Sequence, residues 1–293
     1  MVWQVIKMND EVIVRFVRDD GEEFLVDETD WGALSIDGAA APEYAIYTED
    51  NAAADGASVI GKQVKARNLE IEAAVMSTAY NEILRGKALS FFNPKRTYKV
   101  YLTYMGRTRW ISAELLAFKA PNARIQQRQT FSAFFLCPGS YWQSVDDFGK
   151  DIAAETPRWG FPYMDNPTYG TLVSVYNFDR AVAFDYDGDV PGYPVYTLTA
   201  SDKVRNPKIT KDGAFVRLLL TMQAGDVIHI STAPGQMRVT QDGVGNILQK
   251  VDRTSQISGL RMQPGANTVR YEADYGDNAL HVVINYNKQY LGV

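Results

Sequence analysis

Along most of the chain apolar and polar residues alternate with a period of two, the pattern of strands that bury one face and expose the other. Leu69, Ile71, Ala73 and Val75 point one way while Glu70 and Glu72 point the other. Tyr98, Val100, Leu102 and Tyr104 repeat the pattern, as do Ile111, Ala113 and Leu115. In "RQTFSAFFLCP", Phe131, Ala133, Phe135 and Cys137 share one face, and Pro138 with Gly139 stops the strand. The stretch "EVIVRFVRDDGEEFLV" predicts a hairpin with Asp20 and Gly21 in the turn, because glycine supplies the positive φ of a tight reversal. Near the end, Leu280, Val282, Ile284 and Tyr286 face inward, with His281, Val283 and Asn285 opposite. One segment departs from this alternation. In "STAYNEILRG", Ser77 predicts the N-cap of a short helix with Ala79/Ile83 and Tyr80/Leu84 stacked at i,i+4 and Gly86 at its end.

From Gln143 to about Gly170 the periodicity lapses and Gly and Pro recur, as in a linker. Beyond it, short strands return with a turn signal in every gap, among them "DYDGDVPGYP", "QAGD", "QPGAN" and "YGDN". Such spacing predicts an antiparallel sandwich or barrel. A chain of 293 residues is long enough for two cores. The expectation is a mainly β protein with an N-terminal domain over 1–142 carrying one short helix, and a C-terminal domain over 143–293 whose start, 143–169, is linker-like.

Composition narrows the function. With 46% hydrophobic and 22% charged residues the chain is expected to fold throughout. A net charge of -5 argues against binding to nucleic-acid backbones, which needs a surplus of Lys and Arg. No apolar run approaches the length that spans a bilayer, and the start "MVWQVIKMNDEV" lacks the basic head and apolar stretch of a secretion signal, so synthesis in the cytoplasm and no membrane association are expected.

The single cysteine, Cys137, cannot form an internal disulfide, and with only His229 and His281 the chain lacks the Cys/His clusters that hold zinc. Its place on an aromatic strand face reads as a small core residue rather than an activated nucleophile. Glu70 and Glu72 lie about 6.5–7 Å apart if they share a strand face, within the range of glycosidase carboxylate pairs, but charge alternating with Leu69 and Ile71 reads as a solvated face. Asp185, Asp187 and Asp189 alternate like calcium-loop ligands, yet Val190 and Tyr196 stand where such a loop needs Gly and Glu. His229 and His281 have no partner nearby in sequence. No catalytic site, metal or cofactor is expected.

The order of the fragments is more specific than any one of them. In the first half these are Phe92-Asn93-Pro94-Lys95, Arg107 through Ile111, and Cys137-Pro138 with Tyr141-Trp142; in the second, Gly188-Asp189, Asn206-Pro207, Gly225-Asp226, Pro264 to Asn267 and Tyr286 to Val293. In this order and spacing the chain resembles, over nearly its whole length, the distal tail protein (Dit) family of siphophages. The resemblance implies an N-terminal ring-forming domain and a C-terminal galectin-like β-sandwich, with Cys137 on the last strand of the first. It further implies a non-enzymatic virion protein at the distal tip of the tail. There a homo-hexameric ring would join the tail tube protein to a tail-associated hub, lysin or fibre protein, with receptor-binding proteins as further partners. Phe92, Asn93, Lys95, Arg107 and Arg109 are the candidate ring or lumen contacts, with a solvated hairpin as the competing account. The alternative function is a carbohydrate-binding β-sandwich module for host surface glycans, with Trp159, Tyr163 and Tyr169 as stacking platforms.

Overall fold

The computed structural model describes residues 12–50, 55–122, 124, 127–146, 148–151, 155–157, 174–176 and 181–293. The chain divides into two compact units, Met1–Val145 with Gln289–Val293, and Asp146–Lys288.

The first unit contains β1 (Ile13–Arg18), β2 (Glu23–Val26), β3 (Trp31–Asp37), β4 (Tyr44–Asp50), β5 (Ala57–Val64), β6 (Arg67–Val75), α1 (Asn81–Phe91), β7 (Thr97–Tyr104), β8 (Arg107–Lys119), β9 (Thr130–Cys137) and β10 (Trp142–Ser144). Its main sheet is antiparallel in the order β2-β1-β7-β8-β9-β6-β3. The alternation places one face of each strand inside. Val14, Phe16, Leu69, Ile71, Tyr98, Val100, Ile111, Ala113, Phe131, Ala133, Phe135 and Cys137 are all buried. The expected hairpin forms between β1 and β2, with Gly21 at φ +86° and its amide donating to the Arg18 carbonyl at 2.9 Å. Tyr104 departs from its predicted face: it is exposed where β7 ends, beside the left-handed turn Met105-Gly106.

The helix also differs from the expectation. Ser77 caps only a short 3-10 turn, Thr78–Tyr80, accepting from the Ala79 amide at 3.4 Å. The α-helix then runs straight through Gly86 to Phe91, and its buried stripe is Asn81, Leu84, Ala88 and Phe91. Tyr80 and Ile83 are 64% and 58% exposed. Packing explains the difference: Ala88 and Phe91 extend the stripe begun at Leu84, and burying them outweighs the roughly 1 kcal/mol that glycine costs inside a helix. Termination comes later, where Pro94 disfavours helical backbone at Asn93. The Tyr98 hydroxyl accepts from the Asn93 amide at 2.6 Å and lies 3.0 Å from the Phe91 carbonyl and 2.9 Å from that of Asn93, fixing the exit from the helix.

The second unit contains β11 (Phe148–Asp151), β12 (Glu155–Pro157), β13 (Ser174–Tyr176), β14 (Ala181–Tyr186), β15 (Val195–Ala200), β16 (Val204–Arg205), β17 (Lys208–Lys211), β18 (Ala214–Arg217), β19 (Thr221–Met222), β20 (Val227–Ser231), β21 (Arg238–Gln241), β22 (Gly245–Asn246), β23 (Gly265–Glu272) and β24 (Leu280–Tyr286). A six-stranded sheet, β11-β24-β15-β20-β21-β22, and a four-stranded sheet, β14-β23-β17-β18, contribute to one core. From the first come Tyr196, Leu198, Ile228, Ile230, Val282 and Ile284; from the second come Phe184, Ile209, Val216, Val269 and Tyr271. This is the antiparallel sandwich that the closely spaced turns predict.

The final strand, β25 (Gln289–Tyr290), corrects the domain limits. It pairs with Trp142 and Gln143 of β10, so the last five residues belong to the first unit rather than to a domain running from 143 to 293. Arg67 holds them there. Its guanidinium donates to the carbonyls of Gly38, Ala40, Ser140 and Leu291.

Candidate interaction surface

Several of the groups with catalytic potential are engaged in structural contacts. Cys137 is completely buried, and desolvation pushes its thiol up to about 12 although Arg67 pulls the other way. We expect no reaction with a thiol reagent such as DTNB in the native protein and one equivalent after unfolding; rapid native labelling would refute the core assignment. The sign of the linkage follows: the unfolded thiol ionises near 9 while the folded one keeps its proton, so its contribution to stability is intact below that pH and lost as pH rises toward 12.

Glu72 is not a freely solvated carboxylate. It accepts from Ser35 on β3 and Ser132 on β9, each at 3.1 Å, and so ties together the strands on both sides of β6. His229 has partners that its sequence neighbourhood conceals. Nδ1 lies 3.1 Å from Thr197 Oγ1 across the β15–β20 ladder, and Nε2 lies 3.4 Å from Asp242 beyond β21. Asp187 pairs with Lys288 at 2.5 Å. Among the described residues no three His, Cys, Asp or Glu side chains converge on one point.

The candidate ring contacts do not form one surface. Phe92 is 4% exposed, and its ring lies 4.6 Å from Phe118, 5.2 Å from both Phe16 and Phe24 and 5.4 Å from Phe131, so its role is core packing and it has no face to offer a neighbour. Asn93 and Lys95 are exposed in the turn after the helix, where the Asn93 side chain accepts from the Lys95 amide at 3.0 Å. Arg107 is exposed at the opposite end of β7–β8, seven residues along the ladder and about 23 Å away at the rise of a strand. Arg109 stacks 3.6 Å above the ring of Tyr290 and donates to the Gly292 carbonyl, bracing the returning C-terminal strand. Trp159, Tyr163 and Tyr169, the stacking platforms of the glycan reading, lie outside the described residues.

A different surface stands out, one that the strand alternation does not flag. β4 and β5 form a two-stranded sheet that pairs with no other described strand. An isolated two-stranded hairpin is marginal in water, yet this one is long and exposes Tyr44, Ile46, Tyr47, Val59 and Ile60. Tyr44 and Ile46 lie on one face, Tyr47 on the other, and Ile60, 66% exposed, occupies the bulge between the Tyr47–Gly61 and Thr48–Val59 pairs. The signal in the sequence is apolar residues at odd and even positions together, as in Ile46-Tyr47 and Val59-Ile60. Toward the tip the apolar character gives way to Glu49, Asp50 and Asp55, which have no ion-pair partner among the described residues.

Residues 187–290 match the family described as siphovirus-type tail component, C-terminal domain, SPP1 Dit type. No curated protein matches the chain. Among solved structures, the SPP1 Dit (gp 19.1) protein, described as a paradigm of the hub adsorption apparatus in Gram-positive infecting phages, matches with a TM-score of 0.63 at 13% identity, over 94% of this chain and 98% of that one. The baseplate of phage P2 in its activated conformation with Ca matches with a TM-score of 0.49 at 10% identity, over 94% and 97%. Residues 187–290 thus match the C-terminal domain of siphovirus-type tail components, and the chain as a whole shares the fold of the SPP1 Dit protein.

Proposed function

We propose that the protein is a structural adaptor at the distal end of a phage tail. Copies close through the first unit into a six-membered ring that joins the tail tube protein to a tail-associated hub, lysin or fibre protein. The second unit serves as a platform for receptor-binding parts, and the assembly performs no turnover. The observation that carries this reading is the match of residues 187–290 to a tail-component domain. The unpartnered β4–β5 hairpin supports it, because a ring needs head-to-tail contacts that differ at the two sides of each copy.

Negative-stain images of the concentrated protein, with light-scattering mass in parallel, test the ring. Closed particles with a central channel and a mass six times 32.8 kDa are expected. A species that remains at 32.8 kDa at every concentration overturns the self-closing ring.

A further inference from the structure

A recess of about 230 Å³ on the second unit is lined by Asn206, Lys208, Arg217, Glu272, Ala273 and Asp274. The strand register builds it. Lys208 of β17 stands between Glu272 of β23 and Arg217 of β18, and because the adjoining residues Ile209, Tyr271 and Val216 are core, these three side chains share the outward face of the four-stranded sheet. Asn206 and Asp274 lie just beyond the strands. Asn206 stands at φ +49°, in the left-handed region that asparagine tolerates better than most residues. Backbone bonds hold both in place: the Asn206 amide donates to the Leu220 carbonyl at 2.8 Å, and the Asp274 amide to that of Arg205 at 2.9 Å. The charges pair across the recess, two cations against two carboxylates. Lys208 Nζ lies 2.6 Å from Glu272 Oε1, and the Asp274 carboxylate accepts from Arg217 Nη2 at 2.6 and 2.8 Å and from Asn206 Nδ2 at 2.8 Å. The bonds from Asn206 and Arg217 hold Asp274 below the usual carboxylate pKa, so it stays ionised at neutral pH. Bonding capacity remains: Nε and Nη1 of Arg217, Oδ1 of Asn206 and Oε2 of Glu272 have no hydrogen-bond partner among the described residues.

We propose that this recess binds one ring of a neutral sugar through a pair of neighbouring hydroxyls. The lining selects that class. A phosphate or carboxylate would meet Glu272 and Asp274, a cation would meet Lys208 and Arg217, and an apolar group would find only the Ala273 methyl. A hydroxyl both donates and accepts, so it can take a proton from Arg217 Nε or Nη1 and give its own to Asn206 Oδ1 or Glu272 Oε2. Such bonds are charge-assisted and among the stronger ones available in water. The volume lies below the ~300–1,000 Å³ of pockets for drug-sized ligands, which leaves room for a single ring. All six lining residues belong to one copy, so the site is complete in the monomer and does not depend on the ring. It would give the second unit a weak grip on glycans of its own, beside any receptor-binding parts it carries.

Saturation-transfer NMR on the full chain tests it, with the methyl glycosides of glucose, galactose, N-acetylglucosamine and rhamnose as probes at millimolar concentration. Transfer to the ring protons of at least one glycoside is expected. Two variants keep the fold: Asn206→Gly preserves the left-handed backbone while removing the side chain, and Arg217→Gln removes a partly exposed charge. Each should melt within a few degrees of wild type and bind the glycoside about tenfold more weakly or worse, the loss of one charge-assisted hydrogen bond. Inorganic phosphate and an acetylated glycine amide should not displace the sugar. Absence of transfer to all four glycosides overturns the proposal, and transfer that both variants retain at full strength overturns this location. Displacement by phosphate or by the amide assigns the recess to an anion or to a peptide and overturns the sugar.

Discussion

Phe92→Ala is expected to destabilise the first unit by about 3–5 kcal/mol, the cost of removing a large aromatic side chain from a well-packed core. The residue sits at the centre of an aromatic cluster. Its ring meets Phe16, Phe24, Phe91, Tyr98, Phe118, Phe131 and Phe135 at centroid distances from 4.6 to 6.4 Å, several of them edge-on. It is also the residue at which α1 stops, its amide donating to the Ala88 carbonyl at 3.1 Å. Truncation therefore opens a cavity where helix and sheet meet and loosens the turn that leads into β7. Urea denaturation followed by tryptophan fluorescence reports mainly on this unit, since of the five tryptophans only Trp159 falls within the second. A surface ring contact would behave in the opposite way, with monomer stability unchanged and assembly lost, so a midpoint equal to wild type would return Phe92 to the interface.

Phe92 shows why sequence order and physical role part company. The short motif Phe92-Asn93-Pro94-Lys95 draws attention because it resembles a family feature, and the four residues divide between core and surface. Period-two alternation identifies the inward residues of β6, β8 and β9 because each of these strands has a buried face and a half-solvated one. It passes over β4 and β5, where burial does not enforce a face and the register shifts at a bulge. Local pattern also misjudged α1: Gly86 reads as a stop until Ala88 and Phe91 are seen to continue the buried stripe. The partners of His229 come from strands 32 residues away and from a turn after β21, and no sequence window joins them. The return of residues 289–293 to the first unit is a long-range fact of the same kind, since Arg67 and Leu291 are separated by 224 positions.

That last contact leads to the second large effect. Arg67→Ala is expected to cost about 4 kcal/mol, because it leaves four carbonyls, one buried and three part-buried, without this donor at once and removes a buried side chain. Arg67 is 3% exposed, and no carboxylate pairs with it among the described residues. Its charge is balanced only by carbonyl dipoles: Nε reaches Ser140 at 3.0 Å, Nη1 serves Gly38 and Ala40, and Nη2 reaches Leu291 at 2.5 Å. The guanidinium also lies 5.8 Å from the ring centre of Trp142, whose indole N–H donates to the Ala39 carbonyl at 3.1 Å. Burial lowers the pKa of the guanidinium from its usual value, as expected for a cation moved away from water, yet arginine keeps its charge in proteins. Lysine offers a compact ammonium in place of a planar fork, so Arg67→Lys should recover less than half of the loss. Hydrogen exchange locates the effect: the Val293 amide, bonded to the Ala39 carbonyl at 3.2 Å, should lose protection in Arg67→Ala along with residues 289–292, while β14–β23 of the second unit exchanges as before. If the variant unfolds within about 1 kcal/mol of wild type and residues 289–293 stay protected, the closing strand is held by its pairing with β10 and by Arg109 on Tyr290, and Arg67 is an accessory to that pairing.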